Sequence, residues 1–137
     1  MRRLWVALFL AFCGCGERPP TEPAGTGAKE TAQAFFDGLI ANDSRRAYNV
    51  LDAESQRKMS FEQFQPLASN YLRNVGFSPS RVHIQSRDEQ GDSAIVHVVL
   101  IGHSAGHSRR YSEGITLRRG DGHWGVVLPA NFGRKTK

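Results

Sequence analysis

No cysteine follows Cys15 in this 137-residue chain, and only Cys13 precedes it. Everything downstream therefore lacks an internal disulfide, a thiolate metal site and a cysteine nucleophile, whatever the redox state of its compartment. Long hydrophobic runs are missing too. The run from Leu4 to Cys13 has ten residues, whereas a helix needs about 20 to cross a bilayer. No phosphate-cradling glycine motif or nucleophile elbow occurs. The basic residues fall in scattered pairs (Arg45-Arg46, Arg57-Lys58, Arg109-Arg110, Arg118-Arg119) without interleaved aromatics, so nucleic acid is not an expected partner. The formal charge of +5 drops to +3 without Arg2 and Arg3.

A hydrophobic fraction of 39% and a charged fraction of 23% suit one ordinary globular core. The amino terminus reads MRRLWVALFLAFCGC: two arginines, an apolar run, then small residues. That is the layout of a secretory signal, and it predicts a signal peptide over residues 1–14. The segment Phe12-Cys13-Gly14-Cys15 resembles a bacterial lipobox, with small Gly14 before the cysteine to be modified. The resemblance implies diacylglyceryl transfer to Cys15, hence a lipid anchor in the cell envelope, periplasmic or on the outer surface. An ordinary signal peptide with incidental cysteines is the other reading. Residues 16–27, GERPPTEPAGTG, are rich in proline and glycine and read as a tether reaching roughly 35–40 Å at about 3.1 Å per residue. A domain boundary is expected near Ala28, and residues 131–137 read as a basic tail.

Over Ala28–Asn42 the apolar positions Ala32, Phe35, Phe36, Leu39 and Ile40 recur at helical spacing. A second, shorter helix follows with Ala47, Tyr48 and Leu51 on one face. A third starts at Ser60, where Ser60 and Gln63 form a capping box and Met59 and Phe64 occupy the staple positions. Pro66 is expected to kink or delay it, and residues 52–58 read as irregular. After Gly76 the period changes to two, giving strands over Arg81–Asp88, Ala94–Ile101, Tyr111–Arg119 and Trp124–Leu128. A turn at Gly120-Asp121 would pair Leu117 with Trp124 and Ile115 with Val126. The fold class is α+β: three N-terminal helices packed on a twisted four-stranded antiparallel sheet, cone-like in outline.

The stretch ETAQAFFDGLIANDSRRAYNVLD, a paired-aromatic helix followed by a polar turn and a helix with an inward Tyr, resembles the nuclear-transport-factor-2-like (NTF2-like) superfamily. The resemblance covers residues 28–128 and implies the cone fold shared with ketosteroid isomerases and scytalone dehydratases. It is especially close to small exported lipoproteins of that superfamily. Enzymes of the superfamily transfer protons with an Asp, His or Tyr in the cone. Candidates here are Tyr48, Asp52, His97, Tyr111 and Glu113, and Glu113 shares a face with Tyr111, Ile115 and Leu117.

The turn after the second strand decides whether Glu113 has a partner. A three-residue loop Ser104-Ala105-Gly106 sets His97 against Glu113, and Gly106 in third place favours it; a two-residue turn Ala105-Gly106 sets Val98 there instead. The paired arrangement is expected. Phe36, Tyr48, Tyr111, Glu113 and Trp124 are the candidate ligand-binding residues. His103 and His107 flank the turn without a placed carboxylate, so no metal and no cofactor is implied. The expected function is a non-catalytic exported domain that binds a small apolar ligand or an envelope protein partner, or forms a homodimer. The runner-up is a proton-transfer enzyme of isomerase or dehydratase type.

Overall fold

The computed structural model describes residues 25–135. The expected signal peptide, Cys15 and most of the tether lie outside these residues. Among them, no helix is long and apolar enough to cross a membrane.

Among the described residues four helices precede four strands: α1 (Ala28–Ile40), α2 (Ser44–Asn49), α3 (Ala53–Lys58), α4 (Phe61–Val75), β1 (Ser78–Gln90), β2 (Ser93–Ser104), β3 (His107–Gly120) and β4 (His123–Val126). The α1 stripe is buried at Ala32, Phe35, Phe36 and Leu39, as its spacing requires. Helix α2 is capped by Asp43, which accepts from the Arg46 N–H at 3.1 Å. Helix α3 replaces the expected irregular stretch because Asp52 caps it, accepting from the Ser55 N–H at 3.0 Å. The capping box of Ser60 and Gln63 forms, so α4 starts at Phe61 and runs on through Pro66 instead of being delayed by it. It ends at Gly76 in the left-handed region.

The sheet is an antiparallel meander in the order β1-β2-β3-β4. Bulges between Pro79 and Arg81 and between Ile84 and Ser86 interrupt the β1 register, and such bulges increase local twist. The helices cover one face, over Val96, Val98, Leu100, Ile115, Leu117 and Val126, all buried. The segment Val50–Asp52 extends the sheet beside β4: the Val126 N–H donates to Val50 O at 2.8 Å, and the Asp52 N–H donates to Val126 O at 2.9 Å.

Both turns for which the sequence implies a register differ from that expectation. The last one is Asp121-Gly122, with φ of 51° and 76°, so Leu117 pairs with Val126 and Arg119 with Trp124. A type I′ turn needs positive φ at both central positions and favours Asp-Gly there, which Gly120-Asp121 does not offer. The two-residue shift keeps Trp124 and Val126 on the buried face. The β2–β3 turn is Ala105-Gly106, with φ of 51° and 78°, not the bulged triplet. That one-residue difference moves His97 to the other face.

The domain also exceeds residues 28–130 at both ends. Thr26, expected in the tether, accepts from the Trp124 indole Nε1–H at 2.8 Å and donates to Glu89 at 2.9 Å. Phe132, expected in the tail, is in the core at 7% exposure.

Candidate functional site

The interior of the cone is occupied by aromatic rings. Phe36 lies edge-on to Phe35 at 5.2 Å and 6.5 Å from the Tyr71 ring. Phe132 is stacked on Phe64 at 5.7 Å and on Tyr71 at 5.0 Å. The chain turns back after β4 through Pro129-Ala130-Asn131, with the Phe132 N–H donating to Pro129 O at 3.0 Å, and this turn delivers the Phe132 ring.

At the rim of this packed interior a cleft of about 330 Å³ is lined by Tyr71, Tyr111, Glu113, Asn131, Phe132 and Arg134, among others. Helix α4 supplies Tyr71 from its buried stripe, and β3 supplies Tyr111 and Glu113 from the helix-facing side. Strand β4 pairs with β3 over Leu117–Gly120, well short of Tyr111, which is 38% exposed. The Tyr71 hydroxyl donates to Glu113 Oε1. Burial pushes the Glu113 carboxyl above its ordinary value, and the Tyr71 hydrogen bond opposes that rise. Burial likewise raises the Tyr71 and Tyr111 hydroxyls, with the Glu113 charge acting in the same direction on both.

Of the expected site residues, the structure brings Tyr111 and Glu113 together and separates the others. Val98 opposes Glu113, while His97 opposes Gly114 on the exposed face; the expected imidazole–carboxylate pair does not form. Its ring lies over Gly114, where a Cβ would be 3.1 Å from His97 Cε1. Tyr48 packs against Phe61 and Phe64, and its hydroxyl donates to Met59 O at 2.7 Å. Phe36 is a core residue at 1% exposure, and Trp124 closes the opposite end against Thr26 and Arg119. Asp52 is a helix cap. His103 pairs with Ser108, and His107 with Ser104, which puts the two imidazoles on opposite faces of the hairpin. Tyr71 is the residue that sequence reasoning missed as a partner for Glu113. Its helical spacing marks it as inward-facing, but nothing local indicates the strand it meets.

A second cleft, of about 240 Å³, lies beside α3. There Arg118 reaches Glu54 at 2.5 Å and Asp52 at 3.5 Å, and Lys58 reaches Glu54 at 2.7 Å. Hydrogen bonds from Lys58 and Arg118 hold the Glu54 carboxyl down to about 2. These charges satisfy one another and leave no free acid or base in this cleft.

No family model matches the sequence, and no curated protein matches it. Among solved structures, the fold is similar to a protein named as an NTF2-like transpeptidase from Campylobacter jejuni, with TM-score 0.58 and 15% identity over 74% of this chain and 97% of that one. It is also similar to SEC-C motif containing proteins from Rhodopseudomonas palustris (TM-score 0.56, 11% identity, 77% of this chain and 79% of that one) and Psychrobacter arcticus (TM-score 0.57, 8% identity, 75% and 59%). At such identities the likeness is one of fold: the described residues adopt an NTF2-like fold.

Proposed function

We propose that this chain is an exported lipoprotein of the cell envelope, anchored through an acylated Cys15, whose NTF2-like domain is a non-catalytic interaction module. The observation that carries the non-catalytic reading is the filled cone. The volume that a small apolar ligand would occupy is taken by the rings of Phe35, Phe36, Phe64 and Phe132, each at 7% exposure or less. Binding then falls to the surface. The face of the sheet away from the helices presents Ile95 at 44% exposure, with the half-buried Val99 and Ile101 on the same side of β2. Arg81 flanks Ile101 and Asp88 flanks Ile95, so two copies packed about a two-fold axis would bring opposite charges together. A second copy is therefore the partner favoured for this face.

Two experiments test the proposal. Cys15→Ser should release the chain from the membrane fraction and remove its acyl mass; unchanged retention sinks the lipoprotein reading. Sedimentation of the unacylated chain should show a dimer that Ile95→Glu converts to monomer, and a wild-type monomer at all concentrations counts against the sheet interface.

A second reading, a proton-transfer enzyme of isomerase or dehydratase type, draws on the raised Glu113 carboxyl hydrogen-bonded by Tyr71. It would use Tyr71 and Glu113, not His97. Turnover of a carbonyl substrate that is lost in Glu113→Gln would favour it.

A further inference from the structure

A cleft of about 530 Å³ runs between α4 and the C-terminal segment. Asn70, Arg73 and Asn74 are three and four residues apart on α4, so they share one helix face with Leu67. The opposite wall is held in place by two contacts. Phe132 is fixed in the aromatic stack. Gly133, at φ +66°, lies so close to α4 that a Cβ would be 2.2 Å from the Leu67 carbonyl oxygen. This close approach carries Arg134 and Lys135 to the cleft.

The cleft is thus lined by three cations and two carboxamides and by no carboxylate. Among the described residues, Arg73, Arg134 and Lys135 form no ion pair. Arg73 donates to Asn70 Oδ1 at 2.5 Å, which holds its guanidinium along the cleft. Glu113 lines the adjoining cleft and accepts from Tyr71. Arg134 is shared with the cleft of Glu113, but Arg73 and Lys135 are not; like charges lining one cleft repel one another, and an anion between them would offset that repulsion. Guanidinium forks match the oxygens of a phosphate in paired hydrogen bonds, and an ammonium adds a point charge.

We propose that this cleft binds a phosphate group, with Arg73 and Arg134 as guanidinium donors, Lys135 as the additional charge and the Asn70 and Asn74 amides as neutral donors. Two sources share this chemistry, a phospholipid headgroup and a soluble phosphate. The test is an amide NMR titration of the unacylated full chain with inorganic phosphate and, separately, with phosphatidylglycerol vesicles compared against phosphatidylcholine vesicles. Saturable shifts at Asn70, Asn74, Arg134 and Lys135 are expected from at least one anionic probe. In Arg73→Gln/Arg134→Gln binding should weaken by about tenfold or more while the thermal midpoint stays in place. Response to the anionic vesicles with little response to inorganic phosphate assigns a lipid headgroup; the reverse assigns a soluble phosphate. Three outcomes overturn the proposal: no saturable shift with either probe, equal shifts from chloride at matched ionic strength, or undiminished binding in the double variant.

Discussion

The Tyr71 hydroxyl, on α4, donates a hydrogen bond to the Glu113 carboxyl on β3, joining residues 42 positions apart in the chain. This bond ties the last helix to the uncovered end of the sheet. It also gives a half-buried acid a hydrogen-bond donor, which offsets part of its desolvation but leaves the carboxyl raised.

A raised carboxyl in the folded state binds protons more readily there than in the unfolded chain. Glu113 therefore contributes stability that is fully present below its ordinary value of 4.5 and is lost as pH rises through its folded value. Glu113→Gln keeps an acceptor for Tyr71 and removes the ionisation. Its thermal midpoint should gain on wild type as pH increases, and the difference should vanish under acid. Tyr71→Phe removes the opposing hydrogen bond, so the Glu113 carboxyl should titrate at still higher pH by carboxyl-detected NMR. An unchanged or lower midpoint would mean that the bond does not form in solution.

Phe132→Ala should destabilise the domain by about 3–5 kcal/mol, the usual cost of deleting a buried aromatic ring, because its ring is stacked on both Phe64 and Tyr71. Truncation after Ala130 should cost at least as much in denaturant melts. A loss below about 1 kcal/mol would place the ring in solvent.

Asp52→Ala should cost about 1–2 kcal/mol, the usual range for losing a helix cap. The side chain is 8% exposed and accepts from the Ser55 N–H at 3.0 Å. Asp52→Asn retains the capping oxygen and should recover most of the loss in urea unfolding. Equal losses in the two variants would assign the effect to the Arg118 ion pair instead.

Ala105→Asn should stabilise the β2–β3 hairpin by about 1 kcal/mol, since Ala105 holds φ at 51° and Asn-Gly is the favoured pair for a type I′ turn. Cross-strand contacts between Ser104 and His107 should persist in the variant's NMR spectra. Contacts between His103 and His107 instead would restore the three-residue loop and put His97 back opposite Glu113.

The elements that could be read from the sequence are those whose evidence is local. The α1 stripe, the capping box of Ser60 and Gln63 and the alternation in β1 and β3 each lie within one or two turns or a few strand residues, where backbone geometry alone fixes which side chains share a face. Asp52 carried a local signal too, as a capping residue ahead of α3, but the stretch after it has no apolar period to mark a helix.

Register and site were decided by tertiary structure. Strand β2 is apolar on both faces, with Ile95 and Val99 opposing Val96 and Val98 in orientation, so its hydrophobic pattern does not penalise either turn length. Packing of β3 under the helices chose the register that buries Val96, Val98 and Leu100 and turns His97 outward. Phe132 has no periodic neighbours and became a core residue only because the chain folds back after β4. Tyr71 and Glu113, and likewise Arg73 and Arg134, belong to separate segments with separate local rules. The inward side of Tyr71 and of Glu113 followed from its own segment, but both pairings depended on where α4 and the C-terminal segment docked. Docking depends on burying the whole interface at once, which no short stretch of sequence encodes.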